Sequence, residues 1–231
     1  VAEAITPKTK AILLNSPCNP TGSVAVKEDL AGIADLARDH DLLVLTDEIY
    51  EKIIYEGEHH SIASFDDMFE RTVTVNGFSK AYAMTGWRLG WVLAGEKYLK
   101  QIKKIQQHSI TCAVSFGQKA AVEALYGTQE PVSRMVAEFK ARRDLIVERI
   151  NAIPGMSCSK PNGAFYAFAK FDYDMSSVDF AQFLLEKAQV AVTPGASFGR
   201  CGEGHIRFSY ATSRENINRG LDRVEAAVKE L

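Results

Sequence analysis

The chain has 231 residues, of which 46% are hydrophobic and 24% charged, and its formal net charge at pH 7 is −2. This composition is typical of a folded globular protein, and the length suits one large domain or two smaller ones. The near-neutral charge gives no reason to expect a nucleic-acid partner, and no apolar run approaches the roughly 18 residues that cross a bilayer, so no membrane partner is expected.

The first residues of the chain indicate whether it starts with a signal peptide and whether it is a piece of a longer protein. The first residues, VAEAITPKTKAILLNSP, lack the basic start and the long apolar core of a signal peptide. Because the chain opens on Val rather than Met and runs almost at once into a strand, we expect it to be a piece of a longer protein. Its location is expected to be cytoplasmic.

The cysteines and histidines predict no metal site. The cysteines form no C-x-x-C pair, which favours reduced thiols over a disulfide or metal framework. One adjacent histidine pair lies in a polar stretch that is predicted to be a solvated loop, since neighbouring residues rarely face one metal ion. These residues are Cys18, Cys112, Cys158 and Cys201, and the pair His59 and His60.

Short apolar runs alternate with a helical pattern over the first part of the chain. Residues 11–15, 42–46, 72–75 and 89–94 are continuous apolar runs, which are typical of strands in a sheet covered on both faces. A helix is predicted over residues 27–40, with two acidic residues in its first turn. The order of strand, helix and strand predicts a parallel α/β sheet.

The pattern changes after a long helix that is predicted over residues 131–150. Beyond it, GAFYAFAKF, VAVT and HIRFSYA are predicted to be strands. Two further helices are predicted to start at Ser176 and Thr212, each with a capping box. We therefore expect two domains: residues 1–135, a partial large domain, and residues 136–231, a smaller α+β domain that includes the linking helix.

Polar clusters follow three of the predicted strands, in SPCNPTG, TDEIY and NGFSK. Because ligands of open α/β sheets bind beyond the carboxyl ends of the strands, these clusters are expected to converge on one crevice. An amide, a carboxylate, a phenol, a hydroxyl and an amine would meet there, followed by a guanidinium. The candidate residues are Asn19, Asp47, Tyr50, Ser79, Lys80 and Arg88.

Each cluster alone also has a structural explanation. NPTG is a turn signal in any protein, paired acids often open a helix, and a lysine among small residues often reaches out to solvent. Rival patterns are absent, since the chain has no G-x-G-x-x-G, G-x-x-x-x-G-K-[ST], G-x-S-x-G or H-E-x-x-H. Taken together, the side chains are the set that a pyridoxal 5′-phosphate site needs.

The stretch GFSKAYAMTGWRLG resembles the lysine attachment motif of class I/II aminotransferases, within the fold type I superfamily of pyridoxal phosphate enzymes. SPCNPTG, TDEIY, PNGAFY and HIRFSYA resemble the family's other blocks in the same order, nearest to the bacterial and archaeal aspartate aminotransferase branch. The resemblance covers essentially the whole chain. It implies part of the large domain, with a mostly parallel sheet and helices on both faces, and a smaller C-terminal α+β domain. The matching motif residues are Gly77, Ser79, Lys80, Ala83, Arg88, Leu89 and Gly90.

The resemblance implies a role for each residue that would meet the cofactor ring. Lys80 would form the Schiff base with pyridoxal 5′-phosphate and later move a proton as general base and acid. Asp47 would pair with the pyridinium N–H, which keeps the ring an electron sink. Tyr50 and Asn19 would donate hydrogen bonds to the phenolic oxygen.

Further roles concern the phosphate and the substrate. The resemblance implies that Arg88 grips the phosphate, with Ser79 as a hydroxyl partner. Some relatives carry a phosphate-binding serine three positions before the lysine, where this chain has Gly77. Arg207 would hold the substrate α-carboxylate bidentately, which a lysine cannot reproduce, and Asn19 would add a bond to the same group.

The resemblance therefore implies transfer of an amino group from an L-amino acid of aspartate or aromatic type to a 2-oxo acid such as 2-oxoglutarate. A homodimer is implied for the full-length protein. Relatives carry a long region before this point, so we expect the 231-residue piece alone to lack full activity. Two alternatives stay open: a carbon–sulfur lyase on the same scaffold, and an aminotransferase-like sensor domain of a transcription regulator.

Overall fold

The computed structural model describes residues 1–231, which divide into two compact units. The first unit comprises Val1–Pro17 and Val24–Ser133, and the second comprises Cys18–Ser23 and Arg134–Leu231. None of the helices combines the length and the apolar character that a membrane span requires.

The first unit is built on a four-stranded sheet in the order β1-β2-β3-β4. The first three strands pair in parallel, and β4 runs antiparallel beside β3. The prediction of a mostly parallel α/β sheet is confirmed. The strands are β1 (Ala11–Asn15), β2 (Leu43–Asp47), β3 (Thr72–Gly77) and β4 (Gly90–Ala94), and the helices are α1 (Lys27–Asp39), α2 (Glu96–Ser109) and α3 (Ser115–Tyr126).

Helix α1 covers one face of this sheet. Its apolar residues recur at helical spacing and pack with the inward side chains of β1 and β2. On the opposite face, Leu13 is 73% exposed and Val75 is 38% exposed. The continuous apolar pattern therefore overestimates burial at these two positions. The buried cluster under α1 consists of Leu30, Ala34, Ala37, Leu42, Val44, Ile62 and Met68.

The second unit contains an antiparallel sheet in the order β5-β6-β8-β7. The strands expected from GAFYAFAKF and HIRFSYA are present as β6 and β8. The strand expected from VAVT is wrong except at its last residue, Thr193, where the two-residue β7 begins, and the short β5 was not predicted. The elements are α4 (Glu130–Asn151), which begins in the first unit, β5 (Met156–Ser157), β6 (Tyr166–Phe171), α5 (Ser177–Phe183), β7 (Thr193–Pro194), β8 (His205–Ser209) and α6 (Arg214–Val228).

The two predicted helix caps have different outcomes. Ser176 caps α5 as predicted, because its hydroxyl accepts a hydrogen bond from the backbone N–H of Asp179 at 3.1 Å. The prediction for α6 is wrong by one residue. Ser213, not Thr212, accepts from the backbone N–H of Asn216, at 3.2 Å, and so satisfies a free donor of the first turn.

Candidate active site

The carboxyl ends of β2 and β3 bring four predicted site residues to one edge of the first unit. Asp47 is the last residue of β2, and Tyr50 follows three residues later. Ser79 and Lys80 follow β3, the parallel neighbour of β2. The Nζ atom of Lys80 lies 6.0 Å from the ring centroid of Tyr50. Tyr50 is buried, whereas Ser79 and Lys80 are half-buried.

Asp47 is oriented by hydrogen bonds to its backbone and its carboxylate. Asn15 donates from its side-chain amide to the backbone carbonyl of Asp47 at 3.1 Å. The backbone N–H of Ile49 donates to Oδ1 of Asp47, also at 3.1 Å. The local turn after β2 therefore fixes the orientation of the Asp47 carboxylate. Asn15 was not among the predicted site residues, although it ends β1 in register with Asp47.

Two glycines of the lysine motif allow a close approach between β3 and β4. A Cβ atom on Gly77 would lie 2.9 Å from the Cα of Gly90, which real structures essentially never show. Arg88, just before β4, has a φ of 56° in the left-handed region and donates to the backbone carbonyl of Thr85 at 2.8 Å. The glycine contact thus places Lys80 and Arg88 at the ends of two paired strands.

The second unit holds Arg207 of β8 in a polar and aromatic cage. Its Nη1 donates to Oδ1 of Asn19 at 2.7 Å, and its Nη2 donates to the hydroxyl of Thr193 at 3.0 Å. Its guanidinium carbon lies 4.5 Å from the ring centroid of Tyr166 and 5.2 Å from that of Phe198. Nε of Arg207 is buried without a hydrogen-bond partner. This arrangement fixes a planar cation with donor capacity left for an anionic group.

The loop that carries Asn19 is closed on itself, as the prolines and glycine of SPCNPTG predict. The backbone N–H of Cys18 donates to the carbonyl of Ser23, and that of Gly22 donates to the carbonyl of Cys18, both at 2.8 Å. Gly22 has a φ of 67°, which a glycine adopts without strain. Asn19 is thereby held beside Arg207 rather than left on a mobile turn.

A third polar cluster surrounds Glu48, the residue after Asp47. Glu48 is 3% exposed, and its carboxylate receives Ser61 at 2.8 Å and binds Nε2 of His59 at 2.9 Å. The pair His59 and His60 lies in a loop as predicted, but the prediction of a solvated loop is wrong, since only 15% of the His59 side chain and 23% of the His60 side chain are exposed. Glu48, Glu51 and His59 also offer ligand atoms within 4.8 Å of one another. The hydrogen bonds of Glu48 explain the cluster without a metal ion.

Residues 1–224 match the family model for aminotransferases of class I and II. The chain belongs to the class I and II aminotransferase family. This result confirms the family inferred from the lysine motif and its four companion blocks.

Similar proteins include aminotransferases of two named specificities. The chain is 49% identical to an aspartate aminotransferase of Pyrococcus abyssi and 46% identical to aromatic-amino-acid aminotransferase 2 of Thermococcus litoralis. Each match covers 98% of this chain and 59% of the relative, so the chain spans less than two thirds of their length.

A solved structure confirms the fold class. The aromatic aminotransferase of Pyrococcus horikoshii OT3 is similar with a TM-score of 0.96 at 47% identity. That match covers 99% of this chain and 62% of the solved one. The fold expected from the resemblance, part of a fold type I aminotransferase, is therefore the fold observed.

Proposed function

We propose that the whole protein transfers an amino group from an L-amino acid of aspartate or aromatic type to a 2-oxo acid such as 2-oxoglutarate, using pyridoxal 5′-phosphate. The observation that carries this proposal is the placement of Lys80. Lys80 is half-buried just beyond β3, the strand that pairs with the strand of Asp47, and its Nζ lies 6.0 Å from the ring centroid of Tyr50. An amine, a phenol and a carboxylate at one sheet edge fit this cofactor.

The side chains of the first unit have distinct tasks in this proposal. When bound, pyridoxal 5′-phosphate supplies an electron sink for the negative charge that develops at the substrate Cα. Lys80 would hold the cofactor through Nζ, and its amine would then carry the Cα proton. Asp47, whose Oδ1 is fixed by the N–H of Ile49, would accept the ring N–H. Tyr50 would donate its hydroxyl proton to the phenolic oxygen.

The phosphate is assigned to Arg88 and Ser79. Arg88 is exposed, so its guanidinium can turn its donors to an incoming phosphate. Its left-handed backbone conformation lies within the lysine motif, and such strain in a non-glycine residue is common at ligand sites. Ser79 is half-buried one residue before Lys80, and its hydroxyl would add a weaker bond.

The substrate α-carboxylate is assigned to Arg207. A guanidinium binds a carboxylate through two parallel hydrogen bonds when its plane is fixed. Asn19 and Thr193 fix that plane at 2.7 and 3.0 Å. The rings of Tyr166 and Phe198 lie 4.5 and 5.2 Å from the guanidinium carbon and add cation–π contacts that help to hold it. Asn19 would also bond the carboxylate, and its bond to the cofactor's phenolic oxygen stays a prediction.

Three further proposals concern the domains, the assembly and the location of the protein. Residues 1–135 are proposed as part of the cofactor-binding domain and residues 136–231 as the small domain. The whole protein is proposed to be a homodimer, which light scattering of the complete protein would test. A cytoplasmic location is supported by the four free cysteines, because reduced thiols are usual in that compartment.

A screen of amino donors with the complete protein tests this function. We expect glutamate to form from 2-oxoglutarate when aspartate or an aromatic amino acid is the donor, with cofactor added. Cystathionine serves as the comparison substrate. Release of pyruvate from cystathionine, with no glutamate formed from any donor, would show a carbon–sulfur lyase instead.

A further inference from the structure

Arg143 is a charged residue with no exposed surface. It lies on α4 and is 0% exposed, which is rare for an arginine unless it is paired. Its Nε donates to Oδ1 of Asp144 at 3.0 Å, and its Nη2 lies 2.9 Å from the same atom. Its Nη1 donates to the backbone carbonyl of Pro161 at 3.0 Å. One guanidinium therefore ties α4 to the turn that begins PNGAFY.

This turn in its own right holds the loop that carries Asn19. The backbone N–H groups of Asn162 and Gly163 both donate to the carbonyl of Gly22, at 3.0 and 2.8 Å. The contact is tight, since a Cβ atom on Gly22 would lie 2.4 Å from the Cβ of Pro161. The position of Gly22 therefore depends on the position of the PNG turn.

The loop links the position of Gly22 to Arg207, the proposed binding residue for the substrate α-carboxylate. Gly22 and Asn19 lie in one six-residue loop, Cys18–Ser23, which its own backbone hydrogen bonds close. Oδ1 of Asn19 accepts from Arg207 at 2.7 Å. A displacement of Gly22 would therefore move the acceptor that orients the guanidinium of Arg207.

We propose that Arg143 is a positioning residue for substrate binding: through the Pro161 carbonyl and the PNG turn it holds the Asn19 loop against Arg207. The substrate part of this inference rests on the proposed function, in which Arg207 binds the α-carboxylate. Arg143 has no exposed surface and acts only through the polypeptide that it fixes.

The chemistry of the arginine suits this task. A planar fork donates to Asp144 on one side and to a carbonyl on another, which a single ammonium group does less well. Burial of Asp144 opposes its ionisation, but the hydrogen bond from Lys160 and the charge of Arg143 outweigh it and hold the pKa of Asp144 below its usual value. The partner of Arg143 is thus a carboxylate rather than a neutral acid at neutral pH.

The test compares Arg143→Met with Arg149→Met in the complete protein. Arg149 lies on the same helix but binds Asn218 and Asp222, at 2.8 and 2.6 Å, so its loss disturbs α4 without touching the PNG turn. For Arg143→Met we expect KM for the amino donor and for the 2-oxo acid to rise together, on the order of tenfold. The kcat value should stay within about twofold of the parent.

Both KM values should rise by the same factor, because donor and acceptor share the α-carboxylate. Arg149→Met should leave both KM values near those of the parent protein. Equal changes in the two variants, or a fall in kcat with unchanged KM in Arg143→Met, would overturn the proposal.

Amide hydrogen exchange tests the same series of contacts, from Arg143 to the PNG turn, without an activity measurement. In Arg143→Met the amides of Asn162 and Gly163 should lose protection, whereas in Arg149→Met they should keep it. The exchange result does not depend on aminotransferase activity. Failure of the positioning role can therefore be distinguished from failure of the proposed function. Unchanged protection in Arg143→Met would overturn the positioning role.

A second variant covers the case in which Arg143→Met does not fold. Gly22→Ala places a methyl group against Pro161 and attacks the same contact from the loop side. We expect it to raise both KM values and to expose the amides of Asn162 and Gly163. A Gly22→Ala protein with ordinary KM values would show that the turn does not position the carboxylate site.

Discussion

Arg207 is held by residues from four separate parts of the chain. Asn19, Tyr166, Thr193 and Phe198 each contact its guanidinium, and none is closer to it than nine positions in sequence. HIRFSYA therefore identified the arginine but not the residues that orient it. No sequence motif pointed to Thr193 or Tyr166 as partners of Arg207, since their contacts with it depend on pairing between β6, β7 and β8.

The hydroxyl of Thr193 is expected to support carboxylate binding. Thr193→Val keeps the shape of the side chain but removes the acceptor of Nη2 of Arg207. A hydrogen bond to a charged group contributes about 1.5 kcal/mol, so KM for both substrates should rise about tenfold. Steady-state kinetics of the complete protein measures this, and unchanged KM values would contradict the orienting role.

The adjacent histidines His59 and His60 are expected to differ in their contribution to stability. His59→Ala leaves the buried carboxylate of Glu48 with one partner fewer, which should cost about 1–3 kcal/mol. His60 pairs with Glu58, whose side chain is 78% exposed, so His60→Ala should cost less than about 0.5 kcal/mol. Urea unfolding of the two variants makes the comparison, and equal losses would contradict the buried network.

At the scale of elements, the cap of α6 separates the sequence pattern from the structure. Ser213→Ala removes the acceptor of the Asn216 N–H and should lower the free energy of unfolding by about 1 kcal/mol. Thr212→Ala removes only the bond to the side-chain amide of Asn216 and should lower the free energy of unfolding by roughly a few tenths of a kcal/mol. The reverse order in urea unfolding would support the capping box predicted from Thr212.

Most strands were predictable from the apolar residues that they contain. β1, β2, β3 and β4 follow continuous apolar runs, and their boundaries agree with the structure within about two residues. β5 has two residues, too few to form a periodic pattern. The exposure of Leu13 could not be predicted from the sequence either, because a hydrophobic pattern shows which residues prefer burial but not what packs on them.

The candidate site was predictable to the extent that local motifs carry it. Asp47 ends β2, and Tyr50, Ser79 and Lys80 lie within three residues of a strand end, so the rule for strand ends placed them at one sheet edge. Asn15 was missed because its bond to Asp47 spans 32 positions and depends on strand register. The roles of the motif residues toward the cofactor and the substrate stay predictions.

At the scale of the whole molecule, acid should weaken an ion pair that joins two helices of the second unit. Glu138 on α4 accepts from Arg214 of α6 at 3.1 Å and from Arg142 at 2.8 Å. The hydrogen bonds from Arg214 and Arg142 lower the pKa of Glu138 to about 2 from its ordinary 4.5. Since the folded-state pKa is the lower one, this stabilisation is complete above pH 4.5 and is lost as the pH falls toward 2.

Glu138→Gln is therefore expected to be less stable than the parent protein at neutral pH only. Because the pair is partly exposed, solvent screening limits the difference to about 0.5–1 kcal/mol. Urea unfolding at a series of pH values from neutral to acid checks the trend. A stability difference that stays constant across this range would contradict it.

The proposed function depends above all on Lys80 as the attachment point for pyridoxal 5′-phosphate. The most direct measurement is to incubate the protein with the cofactor, reduce it with borohydride and map the attached mass by peptide mass spectrometry. We expect the adduct on the peptide that contains Lys80, its loss in Lys80→Ala, and its retention in Lys52→Ala, which replaces an exposed lysine of the same unit. An adduct on another lysine that persists undiminished in Lys80→Ala would contradict the account.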